Sequence, residues 1–236
     1  ATAARIVDHF GEDTLEVLET DPQRLLEVPG IGAKKAQAAM ERWEEQRATR
    51  RVFQFLQGYG LTKRQADRIY QAYGDSTIAK LRENPFRIVE LDRFGFSTAD
   101  ELALNMGLAV NDPRRVDAGV IHVLRESQHK GVAVSKDRNG REKRLPAGNC
   151  YLPLGELISA VKLALKLPVT DDDEGARAAK LIADRVRALA LAGRVVLEPG
   201  PADHPEPHVY DPRMHKYETV LAARIRALRD APVAIR

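Results

Sequence analysis

Val28-Pro29-Gly30-Ile31-Gly32-Ala33-Lys34-Lys35-Ala36 is the stretch on which the reading of this chain turns. Two glycines flank one apolar residue, two lysines follow, and the alanines lead into a helical segment. Glycine reaches backbone conformations closed to other residues and lets a ligand approach the main chain closely. Successive N–H groups of such a turn, at the start of a helix, form a site for an anion. Ile31 is expected to plug the turn into the core. The amides of Gly30, Ile31 and Gly32 are expected to face a phosphate, with Lys34 and Lys35 adding charge. The alternative is a tight helix–helix turn that packs and binds nothing.

The pattern is an apolar residue, Gly-Ile-Gly, three residues and an alanine, between helical segments. It resembles the helix-hairpin-helix motif of DNA repair and replication proteins. It also recurs. A slide of 63 positions lays Arg5-Ile6 on Arg68-Ile69, Phe10-Gly11 on Tyr73-Gly74, Thr14 on Thr77 and Leu18 on Leu81. The same slide lays Pro22 on Pro85, Val28 on Leu91, Gly32 on Gly95 and Ala36 on Ala99. A slide of 30 lays Gly30 on Gly60, Ile31 on Leu61 and Lys34 on Arg64. Hairpins are therefore expected near 30–36, 60–66 and 93–99, such internal periods being the mark of a repeat architecture.

The copies are unequal. The second keeps Gly60 but carries Thr62 in place of Gly32, followed by Lys63 and Arg64; these four are the expected DNA contacts there, with phosphate meeting the Thr62 hydroxyl and Lys63. The third keeps Gly95 but has Arg93 in place of Gly30, where a side chain meets a steric penalty if φ is positive. Phe94 and Phe96 predict a packing role for that copy. Asp21-Pro22 and Asn84-Pro85 each set a capping side chain before a proline in a first turn. The run from Ala36 to Phe55, rich in Glu and Arg, reads as a helix with a solvated face.

With 236 residues, 44% hydrophobic and 30% charged, the chain suits one or two globular domains. The net charge of +3 leaves any affinity for nucleic acid to local patches. One cysteine, Cys150, excludes an internal disulfide and fits a reducing cytoplasm. No apolar run is long enough to span a bilayer, so no membrane association is expected. No Gly-x-x-x-x-Gly-Lys-Ser/Thr loop occurs, so ATP hydrolysis by that route is not expected. His204 and His208 lie four apart but in a proline-broken loop, and the carboxylates at 171–174 lack the glycine of a calcium loop; no metal site is expected. Neither an acid/base pair nor a nucleophile is legible. Ala1–Ile6 reads as mid-helix without a cap, which predicts a piece of a longer chain.

Beyond Asn111-Asp112-Pro113 the repeat stops. Helices are expected over Val116–His129, 154–165, to about Leu191 from the acidic run, and Arg213–Arg229. Strands are expected at 132–134, 194–198 and 207–210. Residues 135–145 carry five basic side chains (Lys136, Arg138, Arg141, Lys143, Arg144) against two acidic ones. They read either as a solvated surface turn or as a β-hairpin with a basic tip centred on Asn139-Gly140, offering contact to DNA or a partner. The expected fold class is mainly α: tandem helix-hairpin-helix repeats over 1–110, a winged-helix-like α+β module with short β-hairpins over 111–211, and a closing helix over 212–236.

The order of parts resembles one family. Arg-Ile-Tyr-Gln-Ala-Tyr-Gly (68–74), Phe-Gly-Phe-Ser-Thr-Ala-Asp (94–100), Tyr-Leu-Pro (151–153) and Val-Tyr-Asp-Pro-Arg-Met-His-Lys-Tyr-Glu (209–218) are similar to the N-terminal extension of long-form RecD-like DNA helicases. The resemblance covers essentially the whole chain. It implies a sequence-independent DNA-binding and scaffolding region of an ATP-dependent, superfamily 1, 5′–3′ helicase of repair or recombination. It further implies that the fragment itself is non-catalytic, with ATP and Mg confined to motor domains of the same polypeptide, into which the closing helix leads. DNA, single-stranded or at a junction, is the implied partner. The basic insertion at 135–147 and Asn149-Cys150 depart from the family pattern. The competing reading is a protein-interaction module whose hairpins only pack. A base-excision enzyme on the same hairpin would need an aspartate about one helix later, and residues 47–52 contain none.

Overall fold

In a computed structural model, residues 2–136, 140–169 and 172–230 are described, and the chain divides into two compact units that meet in sequence at Leu91 and Asp92. Arg138, Asn139, Thr170 and Asp171 lie outside the described residues.

The first unit is helical. Helix α1 (Thr2–Phe10) leads through a 3-10 turn to α2 (Thr14–Thr20) and a second 3-10 turn, Pro22–Glu27. The first hairpin then opens α3 (Ala33–Gly58), and the second joins α3 to α4 (Lys63–Tyr73); α5 (Thr77–Glu83) and the 3-10 turn Pro85–Glu90 follow. The 63-residue repeat is visible bond by bond. Thr14 Oγ1 donates to the Gly11 carbonyl at 2.7 Å, and Thr77 Oγ1 donates to the Gly74 carbonyl at 2.6 Å. Gly11 and Gly74 both take φ near +55° (+55° and +54°). Leu25 and its counterpart Ile88 are each fully buried. The segments after Asp21-Pro22 and Asn84-Pro85 are 3-10 rather than α, and only Asn84 caps, accepting from the Phe86 amide at 3.0 Å. Six residues, the proline included, leave each segment too short for a stable α-helix.

Around the first hairpin, Ile6, Leu25, Val28, Ile31 and Ala36 form one buried cluster, with Phe10, Leu18, Ala39 and Met40 packed on it. Ile31 is the plug the spacing predicted. α3 and α4 are tied by the hydroxyls of Thr49 and Tyr70, 2.8 Å apart.

The second unit starts inside the third hairpin. It contains α6 (Phe96–Asn105), α7 (Pro113–His129), strands β1 (Val132–Lys136), β2 (Glu142–Leu145) and β3 (Tyr151–Pro153), then α8 (Leu154–Ala164), α9 (Asp173–Leu191), β4 (Val196–Glu198), β5 (His208–Tyr210) and α10 (Pro212–Asp230). β1 and β2 pair antiparallel in a two-stranded ribbon; β3, β5 and β4 form a three-stranded antiparallel sheet with β5 central. Val116, Val120, Leu157, Val161, Ile182 and Val186 bury the facing stripes of α7, α8 and α9, at the helical spacing that sequence periodicity indicates. Asp112 and Asp172 cap α7 and α9 by accepting from first-turn amides. No helix among the described residues is long and apolar enough to cross a membrane.

Two ion pairs bind these helices. Arg115, 2% exposed, forks onto Asp100 of α6 (Nε–Oδ1 2.6 Å, Nη2–Oδ2 2.9 Å) and also donates to the carbonyls of Val110 (2.7 Å) and Leu165 (3.1 Å). Arg185 of α9 forks onto Asp117 of α7 at 2.7 and 2.6 Å.

His122 on α7 stacks on Phe96, centroids 4.5 Å apart and planes 9° apart, and sits 3.6 Å from Glu126. Burial pushes its imidazole below the ordinary histidine value; Glu126 and Asp100 pull it back up and Lys130 pushes it down. The folded state therefore favours neutral His122. That contribution is present above the unfolded value of about 6.5 and is lost as pH falls below it. Thermal stability of the native protein is expected to drop from about pH 7 to about pH 5 more steeply than that of His122→Phe. Parallel pH profiles for the two would refute this assignment.

Candidate nucleic-acid interface

The first hairpin projects its backbone outward around a buried plug. Gly30, Gly32, Ala33, Lys34 and Lys35 are exposed while Ile31 is 5% exposed. Gly30 takes φ +80°, a conformation that disfavours a side chain. Gly32 differs. Its φ of −87° and ψ of 171° suit any residue, and a Cβ built there meets nothing within 4 Å. Neither conformation nor packing asks for glycine at Gly32. It is the N-cap of α3, a position where Ser, Thr, Asp or Asn would cover a first-turn amide. No side chain caps α3. The amides of Ala33 and Lys34 are consequently open to solvent at the positive end of a 26-residue helix.

One expected donor is withdrawn. The Ile31 amide donates to the Val28 carbonyl at 3.0 Å, because burying the Ile31 side chain carries its N–H into the preceding turn. The amides left without a backbone acceptor among the described residues thus lie one step further along, at Gly32, Ala33 and Lys34, while the Lys35 amide donates to the Gly32 carbonyl at 2.9 Å. Lys35 Nζ rests 3.4 Å from the Gly30 carbonyl, and Lys34 is unpaired among the described residues.

The second hairpin also sets a positive-φ glycine, Gly60 at +90°, before a buried Leu61, but its turn is bonded differently: Leu61 N–H donates to the Leu56 carbonyl at 3.2 Å and Gly60 N–H to that of Gln57 at 3.0 Å. Its helix start is closed. Thr62 Oγ1 accepts from the Gln65 amide at 3.3 Å, Gln65 Oε1 accepts from the Thr62 amide at 2.9 Å, and the Thr62 hydroxyl also donates to Gln65 Oε1 at 2.8 Å. The hydroxyl expected to meet phosphate is turned onto Gln65 by this capping box. Lys63 and Arg64 remain exposed beside it. In the third hairpin Phe94 and Phe96 are buried as expected, yet Gly95 repeats the geometry of Gly32 (φ −89°, ψ 168°) and no side chain caps α6. Arg93 stands exposed at φ +68° where the first copy has Gly30.

Residues 132–136 and 142–145 pair as an antiparallel ribbon, as the hairpin alternative requires, while its tip at 137–139 lies outside the described residues. The ribbon's charge is partly compensated. Glu142 pairs with Arg144 at 2.8 Å and with Lys136 at 3.3 Å, and their hydrogen bonds hold its carboxyl below the usual carboxylate range. Arg144 further donates to the Gly131 carbonyl at 3.1 Å. Lys143 and Arg141 are exposed, while Arg138 falls outside the described residues. Cys150 is half-buried, its thiol pushed up by burial and by Glu218. His208 stacks on Tyr151, centroids 4.0 Å apart.

Sequence reasoning missed Arg5 and Gln65. Gln65 was legible as the fourth residue of a Thr-x-x-Gln box. Arg5 was legible only as one half of the Arg5/Arg68 repeat pair.

Comparison with known proteins agrees with this architecture. Residues 45–133 match the family described as the ATP-dependent RecD2 DNA helicase HHH domain, and residues 1–45 match the SAM-like helix-hairpin-helix tandem. Over 233 residues the chain is 32% identical to the ATP-dependent RecD2 DNA helicase of Deinococcus radiodurans. That alignment takes in 98% of this chain and 30% of the relative's length.

Proposed function

We propose that this chain, a helix-hairpin-helix region of the RecD-like DNA helicases, holds a DNA strand by its phosphates, without reading sequence, through the first hairpin. The observation that carries this reading is Gly32, a helix N-cap left as glycine where neither φ nor packing demands one. The open amides of Ala33 and Lys34, with Lys34 and Lys35 beside them, suit a phosphate oxygen and contain nothing that distinguishes bases. The second hairpin, closed by Thr62 and Gln65, is assigned to packing, with Lys63 and Arg64 contributing charge at most. In this reading the chain serves an ATP-dependent 5′–3′ helicase of repair or recombination in the cytoplasm. ATP and Mg are handled by motor domains of the same polypeptide. The apolar face of α10 (Tyr217, Leu221, Ile225 and Leu228, each more than half exposed) suits contact with those domains.

The test is fluorescence anisotropy with a labelled oligonucleotide, single- and double-stranded. Lys34→Glu/Lys35→Glu should weaken binding roughly tenfold or more at low salt and flatten the dependence of log K on log salt. Gly32→Ser should leave folding stability unchanged or raised by a few tenths of a kcal/mol, since serine is the better cap. It should nevertheless weaken binding about two- to tenfold, the size of one or two lost hydrogen bonds. Native affinity in both variants would leave only the packing role.

A further inference from the structure

Resting on the reading above, we infer that the phosphate site of the first hairpin has a third cation, Arg5, delivered from α1 rather than from the hairpin or its helix. Ile6 is part of the buried cluster beneath the hairpin, together with Val28 and Ile31. That anchor fixes the neighbouring Arg5 at the hairpin's edge. Its guanidinium lies across Gly30, with Nη1 2.7 Å and Cζ 3.7 Å from where a Cβ would stand. The residue is exposed, and no carboxylate among the described residues pairs with it. An arginine that packs on a turn for structural reasons ordinarily uses its five donors on carbonyls or carboxylates. Arg5 keeps its fork unpaired, at a corner of the turn shared with Lys35 Nζ on the Gly30 carbonyl.

The third hairpin supplies an independent observation. Its backbone repeats that of the first, φ +68° at Arg93 against +80° at Gly30 and near-identical dihedrals at Gly95 and Gly32. A side chain leaving position 93 therefore starts where the guanidinium of Arg5 lies in the first copy. Two copies place an arginine at one corner by different routes, one across a glycine and one from the backbone itself, the second at a steric penalty. The shared outcome is a guanidinium beside the turn. In the first hairpin it adds a bidentate phosphate contact to the lysine charges and backbone amides.

The experiment is the salt dependence of binding of the labelled single-stranded oligonucleotide. Native protein is compared with Arg5→Gln, Arg5→Lys, Lys34→Gln and Arg51→Gln, an exposed arginine on α3 away from the hairpin. Each phosphate contact to a single strand contributes about 0.7 to the slope of log K against log salt. Arg5→Gln should lower the slope by about that amount, Arg5→Lys should largely keep it, and Arg51→Gln should leave it unchanged. An affinity loss at Arg5→Gln with native slope assigns Arg5 a merely structural role and overturns the inference. A native slope for Arg5→Gln beside a lowered one for Lys34→Gln overturns it while the hairpin reading stands. Native slopes in both variants overturn the two together.

Discussion

Arg115→Met is expected to destabilise the second unit by about 3–5 kcal/mol, the range for breaking a buried pair from one side. The side chain of Asp100 is 15% exposed, and it would keep its charge without the fork that neutralises it. The carbonyls of Val110 and Leu165 would lose a donor in the same step. Methionine replaces much of the arginine stem, so the loss reports the polar network rather than a cavity. Urea unfolding followed by far-UV circular dichroism measures the change. Fluorescence of Trp43, the single tryptophan, provides a reference in the first unit. Asp100→Asn/Arg115→Met should recover part of the loss, because it removes the stranded charge. A loss below about 1 kcal/mol for Arg115→Met would show that water satisfies Asp100 as well as the guanidinium does.

Gly131→Ala should be nearly as damaging. Gly131 holds φ +69° immediately before β1, and a Cβ there would collide with the Leu145 carbonyl and stand 3.0 Å from the Pro146 carbonyl carbon. These are backbone atoms across the ribbon and cannot swing aside as a side-chain tip would. Strain at φ and the forced shift each cost about 1–3 kcal/mol, so a loss of roughly 2–4 kcal/mol is expected. Gly140 is the comparison. Its φ is +77° but its Cβ would meet nothing within 4 Å, so Gly140→Ala should cost only the conformational part, about 1 kcal/mol. Hydrogen exchange at the β1–β2 amides should rise sharply in the first variant and little in the second. Equal effects would mean that the ribbon slides to accommodate the methyl group.

What sequence could disclose follows from how local each determinant is. The 63-residue period, the positive φ at Gly30 and the plug at Ile31 depend on neighbours a few residues away. All were readable from spacing. The bond of the Ile31 amide to Val28 depends on how deeply the plug sinks, which a pattern of glycines does not encode. Closure of the second hairpin is local and legible, since Thr62 and Gln65 form a standard box, although Lys63 and Arg64 between them carry the stronger charge signal. Arg115 was out of reach. An arginine on a helix reads as solvated, and its burial depends on acceptors 5, 15 and 50 residues away in sequence. The strands at 132–136 and 142–145 are short and mostly polar, so periodicity does not separate a hairpin from a solvated turn there.

The reciprocal Thr62–Gln65 bonds also bear on how such arrays are counted. The first and third hairpins start their helices at an uncapped glycine, whereas the second starts at a threonine bonded reciprocally to a glutamine three residues on, and that pair stoppers the mouth. A tally of motif copies is therefore not a tally of open helix starts. Exchange at surface positions can open or close a helix start while leaving the apolar interior that holds the repeats together untouched.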